Sequence, residues 1–226
     1  MLEEFKKYKI TYGIIGINVI VYFLVALASG NFIDFNTRFL VDVGALFSPI
    51  VVLHDEWWRL FTAMFLHGGL THIGMNMFSL YLIGRGAELY FDTKSYLALY
   101  LFSGLLGGMA SLYMHPMGVG VGASGAIFGI FGALAGFFIA NRDKIQTHTK
   151  AFMKDFAVII GINLVLGFSI DSIDVSAHMG GLLVGIMGGY TLSKSRKLFI
   201  PFCITMIVLM LAIANFLPSQ YANQMF

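Results

Sequence analysis

The chain has 226 residues, of which 58% are hydrophobic and 12% charged, and its net charge at pH 7 is +2. About a quarter of the residues in a soluble domain are charged, so this chain has too little polar surface to cover a soluble globule. The small net charge gives no sign of a nucleic-acid partner, and none is expected. The composition favours a helical protein that crosses a membrane several times.

Apolar segments separated by short charged stretches run along the whole sequence. A bilayer core of about 30 Å is crossed by about 20 helical residues. We therefore expect an all-α polytopic membrane protein with a single transmembrane domain over residues 1–226. Seven segments approach the required length, at about 11–28, 58–83, 95–114, 124–140, 152–169, 177–193 and 198–217.

The positions of lysine and arginine predict the orientation of these spans. With a cytoplasmic N-terminus, twelve of the fourteen basic residues fall on the cytoplasmic side, and only Arg38 and Arg59 lie outside. This is the positive-inside pattern, and an odd number of spans then places the C-terminus outside. The first span is long for a cleaved signal peptide and is expected to remain. The short termini, without an organelle presequence, lead us to expect a prokaryotic plasma membrane.

Two predicted helices open with residues suited to catalysis: Gly122-Ala123-Ser124-Gly125 opens the fourth, and Ala177-His178 opens the sixth. Alone, the serine would be a helix cap or a packing residue, and the histidine a partner for a carbonyl group across the bundle. Both helices start on the outer side, so Ser124 and His178 lie at similar depth although 54 positions separate them. Because an adjacent base turns a serine hydroxyl into a nucleophile, the pair predicts a serine hydrolase inside the membrane.

The second predicted span adds two polar side chains near its outer end. His72 and Asn76 are four positions apart and therefore share one helix face. An imidazole N–H and an amide NH₂ can stabilise an oxyanion, with the Ser124 backbone N–H as a third donor. The alternative is a structural histidine and an asparagine that bonds between helices. His67, which we place nearer the surface, is expected to be structural.

Small residues form a stripe on each of the two helices that carry the serine and the histidine. Such stripes allow two helix backbones to approach closely. If they face each other, Ser124 and His178 come within hydrogen-bond reach. The stripes are Gly125, Gly129 and Ala133 on the fourth span, and Ala177, Gly181 and Gly185 on the sixth.

Taken together, these motifs resemble those of the rhomboid family of intramembrane serine proteases. The resemblance covers most of the chain, with the motifs in the family's order and on the expected helices. It implies a six-helix core over about 11–193, followed by one additional helix at about 198–217. Its motifs are Trp58-Arg59, His72-x-x-x-Asn76, Gly84-Arg85-Gly86-Ala87-Glu88, Gly122-Ala123-Ser124-Gly125 and Ala177-His178-Met179-Gly180-Gly181 with Gly185.

The resemblance also implies a role for each matching residue. Ser124 would be the nucleophile and His178 the general base, with no catalytic acid. His72, Asn76 and the Ser124 amide would form the oxyanion hole. The supporting residues would be Gly122, Gly181, Trp58 and Arg59. Trp58 and Arg59 would anchor the first loop, which connects the first two predicted spans (residues 29–57). Glu88 would tie helix ends together. The family often has a tyrosine at the position of Phe128; here the ring can stack on the histidine, but the hydroxyl is missing.

The implied reaction is hydrolysis of peptide bonds in or near transmembrane segments of membrane proteins within the lipid bilayer. We expect a polar cavity open to the outer face between the second, fourth and sixth spans. The glycine-rich run 117–121 is expected to leave the loop before Ser124 free to adapt. The fifth span and the loop before His178 are the candidate gates, and the oligomeric state is left open.

The sequence argues against several alternatives to this interpretation. Asp171 and Asp174 precede His178, but carboxylates in a short outer loop are usually solvated rather than catalytic. No metal or cofactor is expected, because there is no H-E-x-x-H motif and the histidines are not spaced with acidic ligands. An inactive relative that binds membrane helices would lack the serine or the histidine, which are both present. A transporter is disfavoured by the lack of deep acidic residues and of an inverted repeat.

Overall fold

The computed structural model describes residues 2–144 and 174–225, and in these residues the chain is mostly helical. The predicted span 152–169 and Asp171 lie outside the described residues. The long helices are α2 (Lys9–Ser29), α6 (Leu70–Ala87), α7 (Thr93–Met114), α8 (Ser124–Ala140), α9 (Val175–Lys194) and α10 (Phe199–Met225). The short elements are α1 (Leu2–Lys7), α3 (Thr37–Asp42), α4 (Ser48–Leu53), α5 (Arg59–Thr62), a 3-10 turn (Arg196–Leu198) and the strands β1 (Leu46–Phe47) and β2 (Val119–Gly120).

Among the described residues, four helical stretches have the length and composition of membrane spans. Helices α2, α7 and α9 and the stretch 196–221 are long and apolar enough to cross a bilayer, and α8 is a shorter apolar helix of 17 residues. The prediction of an all-α, multi-pass membrane protein is confirmed.

The second span begins later than the sequence predicts. It was expected at 58–83, whereas α6 runs from Leu70 to Ala87. Gly69 ends the loop before it, because its backbone packs against the Ile33 carbonyl and leaves no room for a side chain. The Leu70 N–H donates to that same carbonyl at 2.7 Å, and Asp34 forms an isolated bridge with Gly69. Residues 58–69 therefore support the first loop instead of spanning the bilayer.

Hydrogen bonds between helix ends fix which ends lie on the same side. The Glu88 carboxylate accepts from the backbone N–H groups of Ile10 and Thr11, at 2.8 and 3.0 Å, and from the Thr11 hydroxyl at 2.7 Å. It thus satisfies donors that the first turn of a helix leaves free. Lys194 Nζ, at the end of α9, donates to the Ala140 carbonyl at the end of α8 at 2.8 Å. Glu88 therefore links the end of α6 to the start of α2.

Helices α8 and α9 pack backbone against backbone through their glycines. A Cβ on Gly185 would overlap the Gly129 carbonyl, and a Cβ on Gly181 would overlap the Gly125 carbonyl. The predicted stripes therefore do face each other. Their contact brings the first turns of the two helices side by side at one end of the bundle.

The first loop is tied both to α5 and to the loop before α8. Arg59 is only 6% exposed, and its guanidinium donates to the carbonyls of Val41 and Ala45 at 2.6 and 3.0 Å. The Arg59 guanidinium also lies 4.7 Å from the centre of the Trp58 ring. Arg59 thus bonds to the first loop, and the Trp58 ring packs against Gly44 of that loop, where a Cβ would lie 3.0 Å from it.

Strands β1 and β2 pair antiparallel, and they correct one expectation. Leu46 lies opposite Gly120 and Phe47 lies opposite Val119. The glycine-rich run 117–121, expected to be free to adapt, is instead hydrogen-bonded to the first loop. Glycine content alone did not reveal this pairing, because the partner strand is more than 70 positions away along the chain.

Candidate active site

The site is centred on a hydrogen bond between the first turns of α8 and α9. Ser124 is the first residue of α8, and its Oγ lies 2.8 Å from His178 Nε2. The imidazole is largely buried, with His178 only 8% exposed. The close contact of α8 and α9 sets this distance, because it fixes where both side chains start.

An aromatic ring holds the imidazole on its face. The Phe128 ring stacks on His178 with the ring centres 4.3 Å apart and the planes inclined by 12°. Phe128 follows Ser124 by one helical turn, so α8 supplies both residues that contact the histidine. The stacking expected of Phe128 is therefore present without the tyrosine hydroxyl.

The carboxylate of Asp174, four positions before His178, caps the helix that carries the histidine. Asp174 caps α9 by accepting from the Ala177 N–H at 3.0 Å and from the Ser176 hydroxyl. Burial opposes ionisation of Asp174, but hydrogen bonds from Ser111, Ser176 and the Ala177 N–H outweigh it and lower the pKa of the carboxyl. Within residues 2–144 and 174–225, His178 Nδ1 has no protein hydrogen-bond partner. The imidazole is thus oriented by stacking, with no described acid bonded to it.

Gly122, in the loop before Ser124, packs against the two polar side chains of α6, His72 and Asn76. Its φ of +120° lies in a region that favours glycine, and its N–H donates to the Ala63 carbonyl at 2.9 Å. A Cβ at this position would lie 2.8 Å from His72 Nε2 and 3.9 Å from Asn76 Nδ2. The backbone just before Ser124 therefore packs directly against both side chains.

The hydrogen bonds of His72 indicate which ring nitrogen carries the proton. The Gly68 N–H donates to His72 Nδ1 at 3.2 Å, so in the neutral ring the proton resides on Nε2. Nε2 is the atom that faces Gly122. Asn76 Nδ2 uses one of its two hydrogens to donate to the His72 carbonyl at 3.0 Å. One N–H of each side chain is thus available to a group bound beside Ser124.

Two features around His72 and Gly122 were not predicted from the sequence. His67, placed nearer the surface, is 1% exposed, and its ring packs edge-on against His72 with the centres 5.2 Å apart. His67 lies in the loop before α6 rather than within a membrane span. The Ala63 carbonyl that accepts from Gly122 was not foreseen, since an alanine in an apolar stretch carries no signal for a backbone contact.

A family model described as the Rhomboid domain matches residues 54–195. The chain belongs to the rhomboid family. The matched segment contains the serine, the histidine and the polar pair on α6, and it ends before α10 begins.

Individual members of the rhomboid family are similar to the chain over most of its length. Rhomboid protease GluP of Bacillus subtilis is 34% identical over 186 residues, which is 82% of this chain and 35% of that protein. RHOMBOID-like protein 6, mitochondrial, of Arabidopsis thaliana is 36% identical over 166 residues, or 74% of this chain and 53% of that protein. RHOMBOID-like protein 5 of the same plant is 40% identical over 155 residues, or 68% of this chain and 49% of that protein. The chain spans no more than 53% of the length of these three relatives.

Proposed function

We propose that this protein is an intramembrane serine endopeptidase that hydrolyses peptide bonds in or near the transmembrane segments of membrane proteins. The observation that carries the proposal is the 2.8 Å contact between Ser124 Oγ and His178 Nε2 at the ends of two membrane helices. A serine and a histidine at this distance form a nucleophile and its base. Membership of the rhomboid family supports the same reaction.

In the proposed mechanism, Ser124 attacks the scissile carbonyl while His178 Nε2 accepts its proton. This requires the neutral histidine tautomer with the proton on Nδ1. The same imidazole then donates the proton to the leaving amine, and water hydrolyses the acyl-enzyme. Stacking on Phe128 keeps the ring plane fixed while its charge changes.

The oxyanion hole is assigned to His72, Asn76 and the Ser124 backbone N–H. Support comes from the Gly122 contact, which places His72 Nε2 and Asn76 Nδ2 against the backbone that leads into the serine. The Ser124 N–H lies at the start of α8, where a helix leaves its N–H groups without intrahelical acceptors. Donors arranged in this way stabilise the charge that develops on the carbonyl oxygen.

The substrate is assigned as a membrane-spanning helix that unwinds near the outer boundary. An intact helix hides its carbonyls in its own hydrogen bonds, so substrates with glycine, proline or polar residues at that depth should be cleaved best. A small residue before the cut is carried over from the family resemblance. Water is proposed to reach the dyad through a cavity open to the outer face.

The domain and its location complete the proposal. We assign one transmembrane domain over 1–226, with a rhomboid core at about 11–193 and an additional helix at about 198–217. Lys9, Arg85 and Lys194 lie at helix ends on one side, which supports a cytoplasmic N-terminus and a C-terminus outside. The plasma membrane is the proposed location, although one relative carries the word mitochondrial in its name.

A fluorophosphonate that reacts with activated serines tests the proposal on the protein purified in detergent. Labelling should be lost in Ser124→Ala and His178→Ala. Ser29→Ala, at the outer end of α2, and His54→Ala, in the exposed first loop, are the matched controls and should be labelled like the wild type. Equal labelling of Ser124→Ala and wild type would refute the nucleophile assignment.

Cleavage of a single-span substrate reconstituted in liposomes tests the second half of the proposal. The wild type should cut it near its outer boundary, and Ser124→Ala should leave it intact. A wild-type protein that binds this substrate without labelling or cleavage would instead be an inactive helix-binding relative.

A further inference from the structure

Helix α10 follows the segment matched by the family model, yet one end of it is buried beside the loop that leads into Ser124. Most of α10 faces outward, and only 11% of its apolar stretch is buried. Near its outer end, however, Leu217 and Tyr221 are 1% and 2% exposed. The helix packs against α7 and against α4 of the first loop. This end of α10 is thus enclosed by elements that surround the serine loop.

The Tyr221 hydroxyl makes a specific contact within this packing. It donates a hydrogen bond to the carbonyl of Pro116. Pro116 lies in the segment 115–123, which connects the end of α7 to Ser124 and will be called the serine loop. The contact spans 105 positions of sequence, so it exists only because α10 returns to the outer side.

Further hydrogen bonds to the serine loop come from the first loop and from the turn after α5. Ser48 Oγ donates to the His115 carbonyl at 2.9 Å, and the Ser48 N–H donates to the Gly118 carbonyl at 3.3 Å. The β1–β2 pairing and the bond from Gly122 to Ala63 follow further along. Tyr221 therefore holds the start of a segment whose end carries the catalytic serine.

We infer that Tyr221 is a positioning residue for the proposed reaction, and the inference rests on the proposed function. By fixing Pro116, it sets the register in which β2 pairs with β1. That register in turn sets where Gly122 meets His72, and so where the Ser124 N–H points. Tyr221 itself does not touch the reacting atoms. The additional helix thereby acts as an outer brace of the oxyanion hole.

The test compares Tyr221→Phe, which removes only the hydroxyl, with Tyr113→Phe as the matched control. Tyr113 lies at the end of α7 that leads into the serine loop. Its ring centre is 6.4 Å from that of Phe216 on α10. We expect Tyr221→Phe to lower kcat about three- to tenfold, the range that corresponds to one typical hydrogen bond, with KM unchanged and the unfolding temperature lowered by no more than a few degrees. The rate is counted per serine that fluorophosphonate can label, so that loss of folded protein does not enter it. Tyr113→Phe should match the wild type.

Ser48→Ala is the second variant, since it releases a neighbouring contact of the same loop. It should lower kcat in the same direction. Lower kcat in Ser48→Ala with wild-type kcat in Tyr221→Phe would show that the loop matters and that α10 does not brace it.

Hydrogen–deuterium exchange of residues 117–123 gives a measurement that does not depend on catalysis. Exchange should be faster in Tyr221→Phe than in Tyr113→Phe. If the wild type neither labels nor cleaves but this difference appears, the proposed function fails while the contact of α10 with the serine loop stands. Unchanged exchange together with unchanged kcat would overturn the inference while leaving the proposed function intact.

Discussion

Gly122 lies so close to His72 that a methyl group in place of its hydrogen would be 2.8 Å from the imidazole Nε2. This single contact joins the loop that carries the nucleophile to the helix face that carries two side-chain donors. The φ of +120° at Gly122 turns the chain so that Ser124 can begin α8 immediately afterwards. The proposed nucleophile and the proposed oxyanion donors are therefore positioned relative to each other by backbone packing.

Gly122→Ala should therefore impair the proposed reaction more than an ordinary glycine substitution. The new Cβ would push against His72 and strain the backbone, and a displacement of about 1 Å costs on the order of 10²-fold in rate. The measurement is kcat for cleavage of a membrane substrate. Gly120→Ala is the control, because its Cβ would meet Leu46 at an ordinary 3.6 Å. Equal kcat for the two variants would contradict the role of Gly122.

Asn76→Ala should lower kcat by up to about 10²–10³-fold, as expected for the loss of an oxyanion donor. KM should change little, because the donor acts mainly on the charge that develops in the transition state. Asn215→Ala is the matched control: Asn215 makes the same bond to the carbonyl four residues earlier, at 2.9 Å, on the exposed face of α10. A wild-type kcat in Asn76→Ala would remove this residue from the oxyanion hole.

Phe128→Leu should slow labelling of Ser124 about two- to tenfold, since the stacked ring that orients His178 is lost. Phe128→Tyr keeps the ring and should label at close to the wild-type rate. The rate constant of fluorophosphonate labelling provides the comparison. Equal rates for the leucine and wild-type proteins would show that the imidazole needs no aromatic support.

Gly185→Ala should separate α8 from α9, because the new methyl group would overlap the Gly129 carbonyl. Overpacking of a tight interface costs about 1–3 kcal/mol of stability, and the Ser124–His178 contact should be lost with it. Thermal unfolding in detergent and labelling of Ser124 measure the two effects. Gly16→Ala on α2 has no described neighbour within 4 Å of its Cβ and should retain both. Wild-type unfolding and labelling of Gly185→Ala would show that the interface tolerates a larger residue.

The sequence by itself determined the membrane class, and it predicted the helix directions and the depth of the chemical groups. Apolar length and charge placement depend on the contrast between lipid and water, which acts on each segment separately. Small residues at a spacing of four marked Gly129 and Gly185 as positions where two helix backbones could approach closely. From the sequence, the meeting of Ser124 with His178 followed only on the condition that these stripes face each other, and the structure shows that they do.

Only the tertiary structure decided how the loops around Ser124 are built. The start of α6 at Leu70, the burial of His67, the β1–β2 pairing and the bond from Tyr221 to Pro116 all depend on segments far apart in the chain. From the sequence alone, an apolar stretch that contains glycine is predicted to be a membrane helix. In the structure the distant Ile33 carbonyl packs against Gly69, and the helix begins only after it. Backbone contacts of this kind leave no pattern in side-chain identity, because every residue carries the same carbonyl and nearly every one the same N–H group.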